Sequence, residues 1–304
     1  MKWEKMGLIY GPDGKYKWAK HSALTPTPIL KDDQTIRVYV GFRDDKGVSR
    51  IGYVDVDADN PSKIKSVSED PVLDIGLPGT FDDNGVILGD IVQYDKKLRM
   101  YYVGFQLVEK VKFLAFTGLA ISTDGGESFK RYSNAPVMDR NHDSLFIRAA
   151  HTVMIENAKW KLWIASGSDW EIINNNHYPK YNIEYNESPD GIMFNEKSCL
   201  CIEAHKPEYR IGRPRVYKID GLYRMFYTVG DIQGNYLPGY AESEDGVNWV
   251  RKDSYLDLTL SNSGWDSRTL CYPTLIAYKE KTYMFYNGND MGKDGFGYAV
   301  LKKW

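Results

Sequence analysis

Arg99–Phe105 reads RMYYVGF, a short apolar run with adjacent aromatic residues. Close variants occur at Ile36–Phe42 (IRVYVGF), Trp160–Ser166 (WKLWIAS), Tyr223–Val229 (YRMFYTV) and Thr282–Gly288 (TYMFYNG). Counting from one aromatic residue in each run, Tyr39, Tyr101, Trp163, Phe226 and Phe285 follow one another at intervals of 62, 62, 63 and 59 residues. A fixed period over a whole chain marks a repeat architecture. Runs of this length, rich in aromatic and β-branched residues, read as strands.

Two further marks recur in each unit. A polar turn and an earlier apolar stretch precede the run, as in NGVILGDIVQYDK and TLCYPTLIAYKEK. After the run comes a third strand-like segment, and in three units it ends in S-x-D-G followed by an aromatic residue. These are Asp124-Gly125 with Phe129, Asp190-Gly191 with Phe194, and Asp245-Gly246 with Trp249. Asp-Gly between strand-like runs signals a hairpin turn, because glycine accepts positive φ. The motif therefore reads as a fold device.

Each unit becomes inner strand, turn, aromatic strand, loop, third strand, turn and outer strand. Four antiparallel strands repeated about an axis form a propeller blade. The expected fold class is all-β, a five-bladed β-propeller with four-stranded antiparallel blades, in a single domain spanning 1–304. The last unit lacks an outer strand, which the N-terminal KWEKMGLIY is expected to supply. That would cover an otherwise open edge.

The composition fits this reading. Aromatics make up 14% of the chain, with 23 Tyr and 8 Trp, a bias that suits strands. The net charge of −2 comes without any basic tract, so nothing supports nucleic-acid binding. No apolar run is long enough for a membrane span, and the N-terminus lacks the apolar core of a signal peptide. The three cysteines (Cys199, Cys201 and Cys271) form no C-x-x-C pattern, which fits reduced thiols and a cytoplasmic location. HExxH, calcium-loop, dinucleotide and phosphate-loop patterns are missing, so neither metal nor cofactor is expected.

Inner strands of a propeller converge on a channel, and ligand sites form at its mouth. Polar residues at inner-strand starts are therefore the candidates. The first unit offers His21, Arg43 and Asp44; the second offers Asp82, Asp83 and Asp90. The third offers Arg148 and His151; the fourth Glu208, Arg210 and Arg213; the fifth Asp266 and Tyr272. Paired carboxylates can serve as acid and base in glycoside cleavage, and guanidiniums supply forked donors for hydroxyls, carboxylates or phosphates. Asp83, Glu208 and Asp44 are the catalytic candidates, and the remainder are candidates for binding. Arg213 and Arg215 have the same strand parity and are expected to share a face.

The segments FRDDKGVSRIGYVDVD, FDDNGVILGDIV, GRPRVYKIDGLYRMFYTV and GWDSRTLCYPTLIAYKEKTYMFYNGN carry a resemblance. They resemble the five-bladed propeller glycosidases: the arabinanase, levansucrase and invertase group, and the mannoside phosphorylases of glycoside hydrolase family 130. The nearest likeness is to a glycosidase-like branch encoded among bacterial capsule and O-antigen biosynthesis genes. The resemblance implies a glycoside-active enzyme, hydrolase or phosphorylase, and lends support to Asp44 through FRDD and to Asp83 through FDDNGV. It also implies a catalytic Asp on the first inner strand, where this chain has KHSALTPTP, with His21 and no carboxylate. A second reading stays open, a non-hydrolytic protein that binds or modifies a nucleotide sugar or glycan in cytoplasmic surface-polysaccharide synthesis. Its partner is a carbohydrate or nucleotide-sugar ligand.

Overall fold

The five aromatic runs all form strands. The computed structural model describes residues 1–304 and is nearly all β, with antiparallel pairing between successive strands of each group. Strands β2 (His21–Asp32), β3 (Thr35–Arg43), β4 (Ser49–Asp57) and β5 (Ile64–Val67) pair in that order. So do β6 (Val86–Tyr94), β7 (Lys97–Gln106), β8 (Leu114–Ser122) and β9 (Lys130–Arg131). The next run is β10 (Ile147–Glu156), β11 (Lys159–Ile173), β12 (Asn176–Ser188) and β13 (Cys199–Ile202). Then come β14 (Glu208–Ile219), β15 (Leu222–Asp231), β16 (Tyr236–Ser243) and β17 (Val250–Arg251). Finally, β18 (Cys271–Tyr278), β19 (Lys281–Asn287) and β20 (Phe296–Lys303) are completed by the N-terminal strand β1 (Lys2–Tyr10), antiparallel to β20.

The first strands of these groups are neighbours in space. β2 lies beside β6 and β18, β6 beside β10, β10 beside β14, and β14 beside β18. Short parallel contacts between β8 and β10 and between β12 and β14 join three groups into a continuous 12-stranded sheet.

The aromatic residues that mark the period are fully buried. Three of them also reach into the next group. Tyr39 Oη donates to the Gly126 carbonyl at 2.8 Å, Tyr101 Oη to Gly191 at 2.8 Å, and Trp163 Nε1 to Gly246 at 2.7 Å. Each acceptor glycine belongs to an S-x-D-G turn and has positive φ. The serine hydroxyl accepts backbone N–H groups of the turn, as Ser188 does from Gly191 and Ser243 from Gly246. The turn aromatic then packs back: Phe129 meets Tyr39 and Phe194 meets Tyr101 edge-on. The motif is thus a clasp between successive sheets, and a fold device as its sequence suggests.

Each inner strand is also broken at an equivalent point. Pairing skips between Leu24 and Thr27, Leu88 and Asp90, Ala150 and Thr152, Gly212 and Arg215, and Cys271 and Thr274. The extra residues left at these bulges begin with Thr25, Gly89, His151, Arg213 and Tyr272, spaced 64, 62, 62 and 59 residues apart. A bulge bends a strand and re-aims the side chain it frees. Thr25, Arg213 and Tyr272 have φ of 56°, 51° and 59°, left-handed backbone that non-glycine residues rarely adopt. Each is followed by proline, which fits a strand only where no ladder hydrogen bond is needed.

Candidate functional site

The bulges gather around a cavity of about 350 Å³. Of the five leading bulge residues, Thr25, His151, Arg213 and Tyr272 line it. Gly89 lies beneath, where a Cβ would collide with the Ala150 carbonyl oxygen, so only glycine fits this close approach.

Of the residues singled out in the sequence, the fold brings Arg43, His151, Arg210, Arg213 and Tyr272 together on this cavity. Lys112 and the phenols of Tyr178, Tyr181 and Tyr236 join them. No Asp or Glu is among the 24 lining residues. The guanidiniums therefore face it without a counter-ion. Neither Arg43 nor Arg210 makes an ion pair, and the Nε of each is buried without a hydrogen-bond partner. Arg210 lies over the rings of Tyr236 and Tyr209, at 4.6 and 5.0 Å. Arg213 donates only to neutral acceptors: the Leu88 carbonyl at 2.6 Å, the Thr25 carbonyl at 3.1 Å and Thr27 Oγ1 at 2.9 Å.

The electrostatics follow from burial. Burial, and then the charge on Arg215, push the Arg213 pKa down to about 9. Burial likewise lowers Arg43. His151 is held well below the usual histidine range by burial and then by Arg213 and Arg215, so its imidazole is neutral at neutral pH. Burial raises Tyr236 and Tyr272, leaving both phenols as neutral donors, linked Oη to Oη at 3.2 Å. The site combines uncompensated cations with neutral donors, an arrangement that favours an anion.

The other candidates lie elsewhere. Asp82 is buried against Tyr102 Oη, Arg131 Nε and Thr80 Oγ1, at 2.9, 2.7 and 2.8 Å. Asp83 accepts the Gly79 N–H at 2.8 Å, while its neighbour Asn84 lines the cavity. Asp44 caps its own turn through the Lys46 and Val48 N–H groups and pairs with Arg50 at 2.9 Å. Asp90 pairs with Arg215 at 2.9 Å. Asp266 pairs with Lys5 at 2.6 Å and accepts from Tyr286. His21 bonds Ser22 Oγ at 2.8 Å. Arg148 donates to the Asp139 carbonyl at 2.9 Å. Arg213 and Arg215 do not share surroundings, because the bulge at Arg213-Pro214 intervenes: Arg213 lines the cavity and Arg215 turns to Asp90.

A second cleft, of about 330 Å³, adjoins the first at Tyr181. It is acidic, lined by Asp143, Asp169, Glu171, Glu184, Glu203 and Glu208. Glu208 is bound on both oxygens by Arg251, each at 2.8 Å. Glu184 differs: burial pushes its pKa up, against the opposing effects of Ser166 and Arg148. Nothing in the sequence distinguished Glu184, or Tyr178, Tyr181 and Tyr236, from ordinary strand residues.

Sheets of this form, gathered about a lined central cavity, define a β-propeller fold. The fold matches a solved glycoside hydrolase with a TM-score of 0.76 at 18% identity, covering 99% of this chain and 92% of that one. It matches a structure from work on the GH130 family of mannoside phosphorylases, including glycoside hydrolases that target β-1,2 mannosidic linkages in Candida mannan. There the TM-score is 0.71 at 15% identity, covering 99% and 93% of the two chains. A thermostable family-43 glycoside hydrolase gives 0.68 at 14% identity, covering 94% and 91%. In sequence, the chain belongs to the family of uncharacterized protein Rv1502 of Mycobacterium tuberculosis (strain ATCC 25618 / H37Rv). It is 31% identical to that protein over 305 residues, 99% of this chain and 100% of the relative. It is also 34% identical to the 1,2-beta-oligomannan phosphorylase of Thermoanaerobacter sp. (strain X514) over 137 residues, 42% of this chain and 45% of that protein. The chain matches no family model.

Proposed function

We propose that this chain is a carbohydrate-active protein, a single-domain five-bladed propeller, whose central cavity takes an anionic sugar such as a sugar phosphate or nucleotide sugar. One observation carries this reading: Arg43, Arg210 and Arg213 line a cavity without carboxylates, while Asp44, Asp82, Asp90, Glu208 and Asp266 are engaged in ion pairs elsewhere. A buried, uncompensated cation is costly, and an anionic ligand would relieve it. A neutral sugar would not. The reading accords with a role in cytoplasmic surface-glycan synthesis, where activated sugars carry phosphate; the three unpaired cysteines accord with it too.

The test is a thermal-shift comparison of sugar 1-phosphates and nucleotide sugars with neutral oligosaccharides. Stabilisation by the anionic set, lost in Arg210→Ala, is the expected result. Stabilisation by neutral oligosaccharides alone overturns the reading.

The raised pKa of Glu184 favours a second reading, glycoside cleavage by hydrolysis or phosphorolysis. A general acid must be protonated near its working pH, and burial moves Glu184 in that direction. It would protonate the leaving oxygen in the acidic cleft, with orthophosphate or water as the attacking group. Asp83, beside the lining Asn84, is the other acid candidate. Incubation with β-1,2-oligomannan, with and without phosphate, distinguishes the outcomes: sugar 1-phosphate for phosphorolysis, free sugar for hydrolysis. Loss of product in Glu184→Gln but not in Asp83→Asn assigns the acid to Glu184.

A further inference from the structure

The cavity is divided by chemistry. Its guanidiniums come from β3 and β14, and its phenols from β12, β16 and β18. A separate stretch of the lining, from β6 to β11, is Ile87, Val103, Ala115, Ile147, Ala149 and Ala165. All but Ile87 belong to one buried cluster, and three of the six are alanines, which leave space where larger side chains would fill it. These six side chains offer no donor or acceptor, and the one phenol packed against their cluster is that of Tyr181. A sugar hydroxyl held against the six would lose its bonds to water and gain none from them in return. Leaving the four tyrosines aside, eleven of the 24 lining residues are aliphatic, Met or Phe, more than orientation of a bare sugar phosphate calls for. The apolar lining also continues outward, because Leu107 is part of it and is 59% exposed at the rim.

From this division we infer that the ligand is amphipathic: its anionic group bears an aliphatic substituent that lies along the alanine wall and leaves past Leu107. The inference rests on the anionic reading above and adds the chemistry of the second half of the ligand. Phosphate or carboxylate meets Arg43, Arg210 and Arg213, while the methylenes displace water from a surface that cannot hydrogen-bond it. Burial of each methylene then adds affinity in proportion to the apolar area covered.

The test uses methyl, butyl and octyl phosphate below micellar concentrations, with octanol as the uncharged control, titrated calorimetrically into the full chain. Affinity is expected to rise about threefold to fourfold per added methylene until the wall is covered. Octanol should bind at least tenfold more weakly than octyl phosphate. Ala149→Phe, which fills the wall, should flatten the dependence on chain length. Should that variant fail to fold, the wild-type series decides alone. Equal affinity for all three phosphates overturns the amphipathic ligand and leaves the anion site standing. Binding that grows with chain length but is the same for octanol as for octyl phosphate, and unchanged in Arg210→Ala, overturns the anion site instead.

Discussion

Arg215 closes on Asp90 at 2.9 Å, while Arg213, two residues earlier on the same strand, meets no carboxylate. One bulge separates an ion-paired arginine from one held only by neutral acceptors. Asp90 also accepts the N–H groups of Ile91 and Val153, and Arg215 donates to the Gly89 and His151 carbonyls. Asp90→Asn would leave a buried guanidinium without its counter-ion. It should cost about 3–5 kcal/mol, measured by urea unfolding. A loss below about 1 kcal/mol, in the range of exposed pairs, would mean that Arg215 does not depend on Asp90.

Arg210 calls for the opposite expectation. It has no ion pair, and its Nε has no partner, so its removal breaks no polar network. Arg210→Ala should weaken binding of a sugar phosphate at least tenfold, which is about 1.4 kcal/mol, and change the melting temperature little. Arg210→Lys should recover only part of the loss, because an ammonium cannot supply the guanidinium fork. Full recovery would show that charge alone matters there.

His151 sets a pH dependence. Its folded pKa is depressed, so the folded state binds fewer protons than the unfolded chain once pH falls below about 6.5. Its contribution to stability is therefore complete above that value and declines as pH falls toward the folded pKa. The unfolding midpoint should rise between about pH 5 and 7, and the rise should be smaller in His151→Gln. An unchanged slope would place the titration on another group.

The strand period was legible because a fully buried aromatic must recur wherever one sheet packs on the next, and Tyr39, Tyr101 and Trp163 also bind the following turn. The bulges were less visible. Their signal was the proline after Thr25, Arg213 and Tyr272, which by itself does not tell a bulge from a strand end. Position in the repeat pointed to Arg43, His151, Arg210 and Arg213 on the cavity, but equally to the carboxylates that lie elsewhere. The partners of those carboxylates could not be read from position: Glu208 meets Arg251 and Asp82 meets Arg131, 43 and 49 residues away in sequence. A carboxylate's availability for chemistry depends on such distant partners. Apart from Tyr272, the cavity's tyrosines were hidden by abundance, since any one of 23 reads as packing.

The clasp supports a prediction that separates backbone strain from steric fit within one turn. Gly125 and Gly126 both have positive φ, 77° and 89°. A Cβ on Gly125 would meet nothing within 4 Å, whereas one on Gly126 would collide with Tyr39 Oη, the group that binds the Gly126 carbonyl. Gly125→Ala should therefore cost only the left-handed backbone penalty, about 1–2 kcal/mol. Gly126→Ala carries the same penalty and also displaces the Tyr39 hydroxyl, adding about 1–3 kcal/mol of overpacking and lost hydrogen bonding. Tyr39→Phe removes that hydroxyl, so in its background the two alanine substitutions should converge. Double-mutant cycles by chemical denaturation measure the convergence. If Gly126→Ala stays the costlier in Tyr39→Phe, its cost arises from Leu98, the other side chain within 3.0 Å of the added Cβ, and not from the clasp.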